Sequence, residues 1–287
     1  MKYIIYPTLL LSLLLVSCKS NKQENQKKEV KEAKGGRYYG EVFRMNEIEN
    51  FSSLFPLSVT DIYSNHITSQ VYQGLLKFNQ KTLEPQPCLA TSFKMNDDAT
   101  TFTYTLRDSV YFHDDDCFAD GEGRLLTVKD VKYSLDKVCS SDPLNKMYWL
   151  FQDKVKGAVE YYESTQKGQP LEGGVSGIKV IDDKTIQIEL VKPFAGFNNI
   201  MAHYGTSIFP KEAYEQYGRK LRTHGVGTGP FKIKTVKEGD AVVLSKNENY
   251  WEKDEFGNLC SKRRLDADEN EAPFCKSTKR YFTFIVF

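Results

Sequence analysis

The side chains best suited to chemistry in this sequence are four histidines, His66, His113, His203 and His224. No two of them have the spacing of a metal-binding pair, and the sequence contains neither Gly-x-Ser-x-Gly nor His-Glu-x-x-His. One metal candidate is the run from His113 to Asp116, but adjacent residues of an extended chain point to opposite faces and chelate poorly. We therefore expect no enzyme activity, no cofactor and no metal.

The loop that follows this histidine, residues 113–124, carries four aspartates and two glycines, so we interpret it as a solvated turn. A calcium loop between Asp114 and Glu122 would lack the required spacing of oxygen ligands.

The segment Gly225–Phe231 has three alternate glycines and could be mistaken for a phosphate-binding loop. A phosphate-binding loop needs a helix N-terminus directly after its glycines. Here Pro230 and Phe231 lead into a predicted strand instead. We expect these glycines to permit a tight crossing of two chain segments.

The strands and helices that position these residues are predicted most clearly on either side of the run His113–Asp116. Thr101–Arg107 alternates apolar and polar residues, which predicts a strand with one buried face, and Val110–Phe112 predicts a short second strand. Thr127 is a predicted N-cap with Asp130 as its capping-box partner, and apolar residues recur at helical spacing as far as Val138.

Period and turn signals predict the other elements, and together they indicate an α/β (α+β mixed) fold. They are a strand at 37–44 buried on both faces, a helix from 61 to about 74, a strand at 75–78, a helix at 158–166, a hairpin of 177–181 and 185–190, helices at 197–203 and 213–217, and strands at 231–235 and 241–246.

Composition excludes some functions. With 287 residues and 40% hydrophobic content the chain can bury a substantial core. Lys and Arg number 39 against 38 Asp and Glu, so no overall field attracts nucleic acid, and we expect no nucleic-acid partner. The five cysteines after residue 18 are irregularly spaced, and no complete disulfide framework can be read from them.

The N-terminus indicates export. Lys2 precedes an apolar run from Ile4 to Val16, and Leu15–Cys18 matches the bacterial lipobox, in which the cysteine is lipidated. We predict a lipoprotein signal peptide at 1–18 with lipidation at Cys18, then a flexible tether at 19–35. The alternative is an ordinary signal peptide with a chance cysteine.

Five segments together resemble a known family. They are Val71–Leu76, Pro87–Phe93, Tyr104–Ser134, Val226–Phe231 and Asn247–Trp251. Their residues and order resemble the peptide-type (family 5) solute-binding proteins of ABC importers. The resemblance implies a periplasmic-binding-protein-like type II lobe with a mixed sheet. It also implies a lipoprotein that captures di- or oligopeptides and delivers them to the permease subunits of an ABC transporter.

The resemblance also implies site residues. It places Asn46 and Phe55 along the ligand cleft, with the alternative that 46–57 is a surface loop. Tyr148 and Trp149 belong to an aromatic cluster that is either a cleft wall or core packing. The motif residues Gly227, Thr228, Gly229, Pro230 and Phe231 lie near a hinge between two lobes. Whether the ligand is a dipeptide, a longer peptide, a nickel complex or a sugar stays open.

The resemblance covers about 38–258. We expect 36–258 to be a partial solute-binding domain, its first lobe, with the second lobe missing from this chain, and 259–287 to be an unrelated tail produced by a frameshift or truncation. The alternative is a natural short variant. The expected location is the bacterial cell envelope, lipid-anchored on the periplasmic or outer surface. The alternative function is a structural or adhesive surface lipoprotein without a transport role.

Overall fold

A computed structural model describes residues 31–33, 37–39, 42–253 and 281–286, all within the unit Lys31–Phe287. The described α-helices are α1 Ile62–Val71, α2 Val128–Val138, α3 Ala158–Gln166, α4 Phe197–Met201 and α5 Lys211–Tyr217. The described strands are β1 Lys31–Ala33, β2 Arg37–Tyr39, β3 Val42–Glu47, β4 Leu76–Phe78, β5 Pro85–Pro87, β6 Ala90–Met95, β7 Thr101–Leu106, β8 Ile178–Val180, β9 Thr185–Glu189, β10 Phe231–Lys237, β11 Ala241–Lys246 and β12 Tyr281–Val286. The predicted signal peptide with Cys18, residues 19–30 of the predicted tether and residues 259–280 of the predicted tail lie outside the described residues, whereas Lys31–Ala33 of the predicted tether form β1.

One antiparallel sheet has the strand order β6-β7-β9-β8 and provides a wall of the core. Phe102 and Tyr104 of β7 are buried and lie opposite Ile188 and Ile186 of β9. Their polar neighbours are only partly buried, because successive residues of a strand point to opposite faces. The predicted one-sided strand and the predicted β8–β9 hairpin are therefore confirmed.

A second sheet has the order β10-β11-β12-β3. Strand β12 lies between β11, to which it is antiparallel, and β3, to which it is parallel. Part of the stretch expected to be an unrelated tail is thus an inner strand. The single strand predicted at 37–44 is instead two strands, β2 and β3, and its predicted burial on both faces is wrong at Arg44, which is exposed on β3 at the edge of the described sheet.

Helix α2 begins as the sequence predicts. The Asp130 carboxylate accepts hydrogen bonds from the backbone N–H and the hydroxyl of Thr127, each at 2.8 Å, which completes a capping box. Asp130 is buried, and its two oxygens also accept bonds from the Arg124 guanidinium at 2.9 and 2.6 Å. The same guanidinium donates to Glu212 of α5 at 2.7 Å. One carboxylate therefore both caps α2 and connects it, through Arg124, to α5.

We predict that Asp130→Ala lowers the free energy of unfolding by about 2–4 kcal/mol, because it removes a cap and leaves Arg124 with one carboxylate fewer. Urea unfolding followed by circular dichroism measures this change. The matched control is Lys211→Ala, which breaks an exposed pair with Glu215 at 3.3 Å and should change stability by less than about 0.5 kcal/mol. Equal effects of the two substitutions would contradict the structural role of Asp130.

Two local predictions are wrong around this helix. Val110–Phe112 is not a regular strand; it makes one isolated bridge, between Tyr111 and Leu125. The loop that follows is not fully solvated, since His113 is buried. Separately, no helix in the described part of the chain combines the length and the apolar character needed to cross a membrane.

Candidate functional site

The glycine-rich segment Gly225–Phe231 crosses the C-terminal end of α1 at close range. A Cβ atom on Gly227 would lie 2.1 Å from the carbonyl oxygen of Val71, and one on Gly229 would lie 2.4 Å from that of Gln70. The backbone N–H of Gly229 donates to the Val71 oxygen at 2.9 Å. The tight crossing predicted from the sequence is therefore present, and β10 follows directly in place of the helix that a phosphate site needs. The position of this segment near a hinge stays a prediction.

His113 holds this crossing from the other side. Its backbone N–H donates to the oxygen of Gly227 at 2.8 Å, and its ring Nε2 donates to the oxygen of Gly229 at 2.9 Å. The side chain is 2% exposed, and burial is the main cause that lowers its pKa from 6.5 to about 4. His113 is thus a neutral structural residue at pH 7, although the sequence placed it in a solvated loop.

This burial predicts a pH dependence of stability. Between pH 6.5 and about 4 the unfolded chain binds a proton at His113 and the folded chain does not, so stability falls as the pH falls through this window. The loss attributable to His113 is on the order of 3 kcal/mol. Urea unfolding between pH 7 and pH 4 should show the wild-type protein losing stability relative to His113→Gln, which keeps a side-chain donor but does not titrate. Parallel curves for the two proteins would contradict the assignment.

Gln73 joins the glycine-rich segment to the motif at 247–251. Its buried Oε1 accepts hydrogen bonds from the Thr228 hydroxyl at 3.1 Å and from the Trp251 indole at 2.9 Å. Its Nε2 donates to the Tyr250 hydroxyl at 2.9 Å. The Arg107 guanidinium lies 4.2 Å from the centre of the Trp251 ring. Sequence reasoning assigned no role to Gln73; the available signal was a polar residue inside an otherwise apolar segment.

A cavity of about 310 Å³ lies beside this network, between α1, β4 and residues 202–207. The exposed surface of its wall is more apolar than polar, although many of the lining side chains carry a polar group. Its lining includes Asn65, Gln70, Gln80, His203 and Tyr204, together with the ion pair of Lys77 and Glu252. A second, more open depression of about 800 Å³ is lined by several charged residues near Trp251.

An aromatic surface, which we call the aromatic rim, adjoins the 310 Å³ cavity and consists of Trp149, His203 and Tyr204. The Trp149 side chain is 56% exposed, and its ring meets the His203 ring edge-on at 5.7 Å. The His203 and Tyr204 rings lie 4.1 Å apart, and both residues line the cavity. An exposed tryptophan beside a cavity can contact a ligand through its ring face.

The other predicted ligand residues lie elsewhere. Phe55 is 1% exposed and packs against the rings of Phe209 and Tyr214, so it offers a ligand no accessible surface. Tyr148 stacks on Tyr162 with ring centroids 4.1 Å apart. Asn46 is exposed on β3. None of the contacts described for these three residues joins them to the aromatic rim.

In the run His113–Asp116, which the sequence indicates to be a poor chelate for a metal, Asp115 bonds to other side chains of the protein. Asp115 accepts a hydrogen bond from Tyr217 at 2.6 Å and pairs with His224 at 2.7 Å. Among the described residues no group of three or more His, Cys, Asp or Glu side chains could hold a metal ion.

The sequence is similar to a known family model and to proteins of known function. The sequence model for bacterial extracellular solute-binding proteins, family 5 Middle, matches residues 84–267. The glutathione-binding protein GsiB of Salmonella typhi is 30% identical over 203 residues, which are 71% of this chain and 34% of that protein. GsiB of Escherichia coli O157:H7 is 31% identical over 205 residues, with the same shares. The chain thus spans about a third of the length of the curated relatives it matches.

Solved structures of peptide-binding proteins share the fold. The peptide-complexed DppA of Helicobacter pylori superposes with a TM-score of 0.62 at 25% identity, over 88% of this chain and 43% of that one. The oligopeptide-binding protein OppAIV of Borrelia burgdorferi gives a TM-score of 0.67 at 24% identity, over 86% and 43%. Because the family model matches well over half of the sequence, the chain belongs to the bacterial extracellular solute-binding proteins of family 5.

Proposed function

We propose that this chain is part of a receptor that captures peptides outside the cytoplasm and delivers them to the permease subunits of an ABC transporter. The observation that carries the proposal is the exposed Trp149 beside a cavity of about 310 Å³ in a chain of this family. Relatives named for binding glutathione and a structure bound to a peptide support the ligand class. The family is one of solute-binding proteins, and an enzyme role finds no support in it.

In this proposal the ligand contacts the aromatic rim first. An indole face packs against many kinds of side chain without strict selectivity, as a receptor for mixed peptides requires. Tyr148, which precedes Trp149 in the sequence, and Asn46, which is exposed on β3, are further contact candidates. Phe55 is buried against Phe209 and Tyr214, so we assign it no contact with the ligand.

The proposal extends to anchoring and to the hinge. A lipidated Cys18 would hold the protein at a membrane of the cell envelope, and residues 19–35 would act as its tether.

We place the hinge next to Gly227, Thr228, Gly229, Pro230 and Phe231. The support is that His113 and Gln73 fix this segment firmly, so that bending would occur beyond it.

Tryptophan fluorescence tests the proposal, because Trp149 is one of two tryptophans in the sequence. We expect a mixture of short peptides to shift the emission of the full chain, and we expect Trp149→Phe to lose most of that shift. Since Trp149 is largely exposed, the variant should unfold at the same temperature as the wild type. No spectral change with any peptide, or an unchanged response in Trp149→Phe, would contradict the proposal.

A further inference from the structure

The accessible surface of the 310 Å³ cavity consists more of carbon than of polar atoms. Its wall includes the ring of Phe78 on β4, which is 38% exposed, and the partly buried residues Ala202, His203 and Tyr204. Carbon surface in contact with water favours an apolar partner, because covering it removes it from the solvent.

Most polar side chains of the wall are already bonded within the protein. The Thr68 hydroxyl donates to the carbonyl oxygen of Ser64 at 2.9 Å, and the Ser69 hydroxyl donates to that of His66 at 3.1 Å. Both ends of the Gln73 carboxamide are bonded in the network described above. A polar ligand group that leaves water therefore gains few new bonds in this cavity.

The charges of the wall compensate each other. Among the described residues, the charged side chains that line the cavity are Lys77 and Glu252, and they pair at 2.7 Å. The His203 Nδ1 accepts a bond from the backbone N–H of Gly205 at 3.0 Å, and burial lowers the pKa of this ring, so the ring is neutral at pH 7. A charged ligand group would lose its hydration and meet no uncompensated charge among these groups.

The size of the cavity limits what can enter it. Its volume of about 310 Å³ is at the lower end of the range of about 300–1,000 Å³ that small-molecule sites occupy. An apolar cavity of about 150 Å³ is large enough to hold a benzene ring. The cavity can thus receive one aromatic or branched aliphatic side chain, but not a whole peptide.

We propose that the 310 Å³ cavity receives one uncharged, apolar side chain of the peptide ligand and excludes charged side chains. The inference rests on the proposed function, since it takes the ligand to be a peptide held at the aromatic rim. His203 and Tyr204 belong both to the rim and to the cavity wall, so a peptide in contact with Trp149 can direct one side chain inward. In this arrangement the receptor selects at one position of the ligand and accepts many side chains at the others.

Calorimetric titration of the full chain with alanine-based tripeptides tests the inference. Each of the three positions in turn carries leucine, lysine or glutamate, trialanine is the reference, and all the peptides have free ends. We expect leucine at one of the positions to bind at least about tenfold more tightly than trialanine, because its side chain is buried there. Lysine or glutamate at that same position should bind no more tightly than trialanine does.

Ala202→Phe locates this preference, because the added ring fills the cavity. In this variant the affinities for the leucine tripeptide and for trialanine should agree within about a factor of two, since the leucine side chain is no longer buried. The matched control is Asn199→Phe, which adds the same ring at an exposed position of α4 that does not line the cavity. The control should keep the preference for leucine, and thermal unfolding shows whether each variant is folded.

Lys77→Met tests the charge argument without filling the cavity. The substitution removes the ammonium group and leaves the Glu252 carboxylate of the wall without its partner. Lysine at the selected position should then bind at least about fivefold more tightly to the variant than to the wild type, and glutamate should gain nothing.

The outcomes separate this inference from the proposed function. If lysine or glutamate binds as tightly as leucine at every position, or if a folded Ala202→Phe keeps the preference for leucine, the inference is overturned while the receptor function stands. If Ala202→Phe does not fold, Lys77→Met decides, and an unchanged affinity for lysine overturns the inference. No heat from any tripeptide would contradict the proposed function itself.

Discussion

Replacing Gly227 with alanine is expected to lower the free energy of unfolding by about 3 kcal/mol or more, since the added methyl group overpacks a buried crossing. The new Cβ would lie 2.1 Å from the carbonyl oxygen of Val71 and 2.9 Å from the carbonyl carbon. Both atoms belong to the backbone of α1, so no side-chain rotation can relieve the clash. The segment must move away from α1, and the bonds of His113 to Gly227 and Gly229 then lengthen.

Urea unfolding of Gly227→Ala measures this loss, and Gly168→Ala is the control. A Cβ on Gly168 would meet no atom within 4 Å, but its φ of +70° is a conformation that alanine disfavours. The control should therefore lose only about 1 kcal/mol, from backbone strain alone. If Gly227→Ala loses no more than Gly168→Ala, the close crossing is not a feature of the protein in solution.

Ending the chain before Tyr281 is expected to prevent stable folding of the second sheet. Strand β12 pairs with β11 through Ser245–Ala241 and with β3 through Val42–Glu47. Its removal separates β3 from the sheet and leaves two strands with unpaired inner edges. Exposed edges of this kind pair with other chains, so we expect the shortened protein to aggregate.

Size-exclusion chromatography and thermal unfolding of the chain that ends at Arg280 measure this effect. A chain that lacks only Phe287, the residue after β12, is the control and should behave as the full chain does. If the shortened chain stays monomeric with an unchanged unfolding temperature, β12 contributes nothing to the sheet, and the expectation of an unrelated tail from Leu259 is favoured instead.

The elements that could be predicted are those whose signals are local. Strand β7 shows a period of two, and α2 begins at a capping box; in each case a few neighbouring residues decide the conformation. The position of β12 depends on pairing with strands far away in sequence, β11 and β3. No local pattern in the tail encodes that pairing.

The candidate site could be predicted only in part, because its contacts also join segments that lie far apart in the sequence. Three alternate glycines followed by proline and a strand indicate a close crossing, but they do not show that His113 completes it from a loop that is rich in aspartate. Aromatic clusters are equally ambiguous. Phe55 and Trp149 both belong to such clusters, yet one lies in the core and the other is largely exposed, because burial depends on which elements pack against each ring.

The most direct test of the central claim, that the aromatic rim and its cavity receive a peptide, is a map of backbone and indole NMR shifts. The full chain, labelled with ¹⁵N, is titrated with alanyl-alanine that carries an acetylated N-terminus and an amidated C-terminus. We predict that the largest shifts occur at the Trp149 indole, at His203 and Tyr204, and along α1 from Asn65 to Gln70. Absence of shifts at saturating peptide, or shifts confined to other surfaces such as the exposed β8–β9 turn at Ile181, would contradict the claim.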